Sequence, residues 1–286
     1  MVQGTLRPTG AAKTNRRLSP AAALVRQHDR DRFQTALFAP AVEREALFAL
    51  YAFNYEIARV RESVREPMLG QIRLQWWREA VDAAYGGGPA RRHEVVEPLT
   101  AAIRSHRLSR EHFERLIDAR EQDFDEEPPA TLEALERYAE ATSVPLVMLA
   151  LEALNSATPE ALEAAPHIGI AYALTGIIRA LPFAARTQRT LLPADLSPQD
   201  AVIRRETLRE AVEAIAAAAT AHLATARQGR GAIPVRALPA LLPARVAAAA
   251  LRRLERAGFD PFAAGVSDRD PLQPWRLAVA VLLRRF

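Results

Sequence analysis

The chain has 286 residues, nearly half of them hydrophobic and a quarter charged, a composition that excludes intrinsic disorder. No apolar run reaches the roughly 18 residues of a membrane span, and zero cysteines exclude disulfides, Fe–S clusters, thiolate metal sites and cysteine nucleophiles. The net charge is +4, and Lys13 is the only lysine among 38 basic residues. Arginines and acids alternate throughout instead of gathering on one segment, so no nucleic-acid partner is expected.

Residues 1–20 combine Gly, Pro, Thr, Asn and basic side chains with no acid, which predicts a disordered basic tail; residues 21–286 form the folded part. From residue 21 the pattern is helical. After Pro40, Leu47, Leu50, Tyr51, Asn54 and Ala58 share one 3.6-residue stripe. Gly70 precedes QIRLQWWREAVDAAY, a helix that Gly86, Gly87, Gly88 and Pro89 stop. Ser109 is positioned to cap a helix running to about Asp123, broken by the acidic run at 123–127 and Pro128–Pro129. Pro145 sits early in an apolar helix ending near Asn155, and Pro159 opens a segment containing HIGIAYALTGIIRAL. An alanine-rich helix follows at 205–228, then a Pro-punctuated loop, a helix at 244–257 and a last helix at 274–285. Neither β alternation nor a repeat of 20–50 residues is present, so the expected class is all-α, one helical bundle around a central cavity.

Motifs of hydrolase, nucleotide or calcium chemistry are missing: there is no HExxH, P-loop, GxSxG or EF-hand loop. His106 and His112 are six apart and do not share a helical face. His167, on an apolar helix, reads as a satisfied, partly buried histidine. Two aspartates at i and i+4 would place both carboxylates on one helical face, ready to hold Mg²⁺ against a diphosphate. No such pair occurs; Asp123 with Glu127, and Glu62 with Glu66, have the spacing but fall at a Pro-Pro break and a helix end.

Four segments, in order over about residues 33–196, resemble the squalene/phytoene synthase family. ALYAFNYEIARVRESV is similar to its first Asp-rich signature, IGIAYALTGIIRALPFAARTQRTLLPADL to its second, RLQWWREAV to its Trp-Trp-Arg helix and LIDAREQDF to the acidic helix that follows. The framework residues Tyr51, Phe53, Arg179, Arg189, Leu192 and Pro193 match. The metal-binding positions do not: the first signature's aspartates fall on Ala58, Arg59 and Glu62, and in the second the family's asparagine falls on Gly176 and its aspartates on Ala180 and Ala184. A departing diphosphate needs electrostatic stabilisation, normally by metal. The resemblance therefore implies a protein that has lost Mg²⁺, with no cofactor expected, and the AFN-x-E-x-A text at 52–58, the HIG at 167–169 and IPVRALPALLP at 233–243 resemble the family's non-catalytic branch, which serves assembly of respiratory complex I (NADH:quinone oxidoreductase).

From that resemblance the expected partners are complex I subunits or assembly intermediates and a lipid or isoprenoid ligand, and the alternative function is prenyl transfer onto isoprenoid diphosphates. The two signature helices are expected to face each other across the cavity. Candidate cavity or ligand-binding residues are Tyr51, Asn54, Arg59, Trp77, Asp118, Arg179 and Arg189. For several of them two roles stay open. One of Trp76 and Trp77 lines a tunnel or packs in the core. Arg179 and Arg189 grip a phosphate or an acidic partner, or make structural ion pairs. Asp118 and Asp123 face a ligand or solvent. The expected location is cytoplasmic, with peripheral contact on the inner membrane (the matrix side in a mitochondrion). Trp275, Leu277, Leu282 and Phe286, set among Arg276, Arg284 and Arg285, are the candidate contact, against core burial of the same apolar side.

Overall fold

The computed structural model describes residues 18–125, 127–184, 192–196, 205–266, 268 and 270–286, and among them there are twelve α-helices and no strand. The expected all-α class holds.

Helix α1 (Pro20–His28) starts at a proline and is capped by Ser19, whose hydroxyl accepts the Ala22 N–H at 3.2 Å. Asp29 caps α2 (Arg30–Ala36) in the same way, accepting from the Arg32 N–H at 3.0 Å. Helix α3 (Ala41–Ala58) follows Pro40 as expected, but its apolar stripe widens to full encirclement: Ala46 to Asn54 are all buried. A helix hydrophobic all round belongs at the centre of a bundle.

Helix α4 (Pro67–Tyr85) begins at Pro67, three residues before Gly70, so the glycine is an internal residue and not a start signal. Its place is set by packing, because a Cβ there would lie 2.0 Å from the Phe124 ring. Helix α5 (Val96–His106) is an element the sequence reading did not single out. Helix α6 (Arg110–Ala119) ends four residues before Asp123, and a 3-10 turn covers Glu121–Phe124. Ser109 makes no side-chain cap; its hydroxyl and N–H instead donate to the Glu152 carboxylate at 2.5 and 2.8 Å.

Helix α7 (Leu132–Ala153) carries Pro145 in its middle, not near its start. Helix α8 (Pro159–Ala184) is long and apolar enough to cross a membrane by length and composition, beyond what the sequence reading allowed, but 56% of its most apolar window is buried inside the bundle. It packs most extensively on α7 and on α9 (Arg205–Ala226). The first of those contacts is backbone to backbone, with Gly169 against Val144.

His167 of α8 lies with its Nδ1 at 2.8 Å from Nδ1 of His222 on α9, and the far nitrogen of His222 is 3.4 Å from Glu136 of α7. Burial, then the neighbouring His222, hold the His167 imidazole below its ordinary value. The remaining helices are α10 (Leu238–Leu241), α11 (Pro243–Arg256) and α12 (Gln273–Leu282).

Candidate functional site

The two signature segments meet at one cavity of about 450 Å³. Ala58, on the last turn of α3, and Glu62, in the 3-10 turn Arg61–Ser63 that follows, line it together with Gly176, Ala180 and Ala184 of α8. The i, i+4 spacing of those three small residues puts them on one face of α8. With Ala173, Ile177, Leu181 and the exposed Phe183 they make an apolar wall.

The facing wall is polar and carries guanidinium groups. Arg32 lies under the cavity, paired with Asp29 at 2.9 Å and stacked over the Tyr172 ring at 4.6 Å and the Tyr51 ring at 5.7 Å. Burial, the largest single influence, acts to lower its pKa, but the Asp29 carboxylate together with Tyr172 and Tyr51 outweighs it and the net direction is up. Burial pushes the Tyr51 and Tyr172 hydroxyls above the ordinary phenol value, so both are neutral donors. Arg120 and Asp123 reach the cavity from the turn after α6, and Tyr138, Thr142 and Ser143 from α7. The Tyr138 hydroxyl donates to Asp123 at 2.6 Å, and Arg120 reaches the same carboxylate at 3.4 Å. Arg61 stacks over the Phe124 ring at 5.8 Å, and among the described residues it has no ion-pair partner.

The sequence-derived candidates divide accordingly. Asn54 lines the cavity, and Tyr51 lies beneath Arg32 against a much smaller crevice. Arg59 does not line it: its side chain turns outward, 44% exposed, to pair with Glu56 at 3.3 Å. The helix ends at Ala58 and the chain tightens into a 3-10 turn, which rotates the pattern so that Arg61 occupies the wall instead. Trp77 is in the core, edge-on to Phe53 at 5.5 Å and to His93 at 5.4 Å. Asp118 lies outside the cavity in a surface pair with Arg78 at 2.6 Å. Asp123, for which ligand and solvent both stayed open, is the acid of that segment buried at the cavity. Arg179 donates to Asp31 at 2.7 Å, and Asp31 also accepts from Gln273 of α12 at 2.9 Å, so it ties α2, α8 and α12 together. Arg189 lies outside the described residues. Arg32, Arg61, Tyr138, Ser143 and Tyr172 escaped the sequence reading: Arg61 and Tyr172 lie within the signature segments but not at their metal-binding positions, and the convergence of all five is tertiary.

A helical bundle with two facing signature segments around a cavity is the architecture of a prenyl-synthase scaffold. The chain belongs to the squalene/phytoene synthase family, whose model matches residues 25–280. It is 32% identical over 271 residues to NADH dehydrogenase (ubiquinone) complex I, assembly factor 6, of Bos taurus, covering 92% of this chain and 81% of that protein. To the presqualene diphosphate synthase of Rhodopseudomonas palustris it is 30% identical over 158 residues, covering 55% of this chain and 56% of that one. The fold is that of squalene synthase from Alicyclobacillus acidocaldarius, with a TM-score of 0.73 at 20% identity over 85% of this chain and 94% of that one.

Proposed function

We propose that this protein acts in the assembly of respiratory complex I and not in metal-dependent joining of prenyl diphosphates. The observation that carries this reading is the cavity's donor set: where the family resemblance calls for aspartates, Ala58, Ala180 and Ala184 offer no ligand atom, and neither does Gly176 where it calls for an asparagine. Mg²⁺ wants several carboxylate or phosphate oxygens. The described cavity residues supply two carboxylates, Glu62 and Asp123, the second held by Tyr138 and Arg120, against the guanidinium groups of Arg32, Arg61 and Arg120. These residues do not fit a magnesium pair, and no cofactor is assigned. The relatives support the same reading, since the complex I assembly factor aligns along nearly the whole chain and the presqualene synthase along about half.

Two measurements test it. With farnesyl or geranylgeranyl diphosphate and Mg²⁺, the purified protein is expected to release no diphosphate above background. Deleting its gene is expected to lower assembled, NADH-oxidising complex I in the host membrane, with rescue by the wild-type gene. Metal-dependent turnover, or normal complex I in the deletion strain, would sink the reading.

The partners are then complex I subunits or assembly intermediates, and the working location is the cytoplasmic (or matrix) face of the membrane. Helix α12 supports peripheral contact, through side chains only partly those the sequence suggests. Leu277 and Phe286 are buried in the core, whereas Trp275, Val279 and Leu282 are exposed on one side. Beside them is a basic cluster. Arg245 has its pKa lowered by burial and then by Arg252, Arg285 and Arg276, and Arg227 by burial and then by Arg245, Arg230 and Arg252. Basic residues near an anionic surface contribute about 1 kcal/mol each, an attraction that salt screens. The protein is expected to sediment with vesicles containing phosphatidylglycerol at low salt, to stay in solution with neutral vesicles, and to be released at high salt. Equal behaviour with both vesicle types would mean that any membrane location comes through a protein partner.

A further inference from the structure

The histidine of the HIG segment at 167–169 lies outside the cavity lining and has no part in the reading above. His167 on α8 and His222 on α9 set Nδ1 against Nδ1, 2.8 Å apart, with their ring planes inclined at 42°. Two lone pairs do not share so short a gap: one ring carries a hydrogen there, or a cation stands between them. The other nitrogen of His222 fixes its tautomer. Its Nε2 is 3.4 Å from the Glu136 carboxylate of α7, so the hydrogen of His222 belongs on Nε2, and its Nδ1 presents a lone pair to His167. An imidazole whose far N–H is oriented by a carboxylate is the arrangement of a metal-ligating histidine. His167 is held below its ordinary pKa by burial and by His222, so its ring too is neutral and able to ligate.

Among the described residues no three His, Asp or Glu side chains converge as they stand, so the two imidazoles are the preformed part of the site. Glu163 supplies what is missing. It precedes His167 by four residues on the same face of α8, is exposed, and makes no ion pair among the described residues. Its charge already acts on the His167 ring, favouring a cation there. Nitrogen ligands then decide the ion. Mg²⁺ and Ca²⁺ take oxygen, whereas imidazole suits first-row transition ions. Zn²⁺ holds nitrogen at about 2.0–2.1 Å, which in a tetrahedral shell sets two nitrogens about 3.3 Å apart, so the rings need open by only about 0.5 Å. We propose that His167 and His222, with Glu163 turning in as third ligand and Glu136 as the orienting carboxylate, bind one divalent transition-metal ion of the zinc type and pin α8 to α9. On binding, the ion takes the place of the hydrogen on His167 Nδ1, and His167 Nε2 takes one from solvent, so the ring stays neutral. The site is separate from the cavity, and the complex I reading stands whether or not it binds metal.

The test is calorimetric titration of the untagged full-length protein with ZnCl₂, after EDTA treatment and removal of the chelator. One Zn²⁺ per chain is expected, with no heat from MgCl₂. His167→Ala and His222→Ala are each expected to weaken binding about 100-fold or more. Glu136→Gln and Glu163→Gln are each expected to weaken it about ten-fold, the first in the range for loss of an orienting carboxylate. His106→Ala, at the end of α5, leaves it unchanged. A hundred-fold excess of Zn²⁺ over its Kd is expected to raise Tm by about 5 °C in the wild type and not in either alanine variant of the pair. Glu136→Gln keeps both rings, so a folding defect in a histidine variant would still leave a readable one. No Zn²⁺ binding would show that a hydrogen alone bridges the two rings and would overturn the proposal. Wild-type affinity in both His167→Ala and His222→Ala would place the metal elsewhere and overturn it as well. Wild-type affinity in Glu163→Gln would overturn the assignment of the third ligand.

Discussion

Replacing Gly169 with valine is expected to lower the unfolding free energy by about 3 kcal/mol, at the upper end of overpacking effects. A Cβ at Gly169 would lie 2.9 Å from Val144 Cγ2, 3.0 Å from its Cα and 3.1 Å from its N. The methyl can rotate away, but the backbone atoms cannot, so α7 and α8 must separate along the most extensive interface in the bundle. A β-branched side chain brings two more carbons into the same space. Gly176, two turns further along α8, is the internal control. A Cβ there meets nothing within 4 Å, because it points into the cavity. Gly176→Ala is therefore expected to stabilise the protein by up to about 1 kcal/mol through helix propensity. Urea unfolding followed by circular dichroism measures both. Equal effects of the two substitutions would mean that α7 and α8 are not in backbone contact at Val144.

This pair of glycines also shows what the sequence carries and what it leaves out. Both occur in one apolar helix, and that helix was legible from periodicity and its flanking prolines. Which glycine bears a neighbouring backbone was not, because the partner lies 25 residues away on another element. Gly70 is the same case: it reads as a helix start, but its lack of a side chain is taken up by the Phe124 ring. The signature alignment did place Ala58, Glu62, Gly176, Ala180 and Ala184 on one cavity, since all but Glu62, which lies in the 3-10 turn, sit at fixed turns of regular helices. It misplaced Arg59 because the helix ends at residue 58 and the next turn has a different rise. Trp77 has the composition of a cavity wall and the neighbours of a core residue: Phe53, itself edge-on to Phe113, and His93. His167 was legible as partly buried, but its partner His222 is 55 residues distant. Asp118 and Asp123 look alike in an acidic run, and only the long-range partner Tyr138 separates the buried one from the exposed one.

That separation has a measurable consequence. Asp123→Ala is expected to cost about 3 kcal/mol, against about 0.5 kcal/mol or less for Asp118→Ala. Asp123 is 7% exposed and accepts from the Tyr138 hydroxyl at 2.6 Å and from Arg120 at 3.4 Å. Removing it leaves the Arg120 guanidinium, on a side chain only 13% exposed, without that carboxylate in a partly desolvated place. Deleting one partner of a buried pair typically costs about 3–5 kcal/mol, and the lower end applies here because the cavity lets water approach the exposed charge. Asp118 shares Arg78 with Glu121 at the surface, with its own side chain 62% exposed, so its loss is cushioned by solvent and by the second carboxylate. Asp123→Asn keeps an acceptor for Tyr138 and loses only the charge, so it falls between the two. Wild-type stability in the alanine variant would show that the Asp123 carboxylate reaches solvent and that its pairing with Tyr138 and Arg120 contributes little.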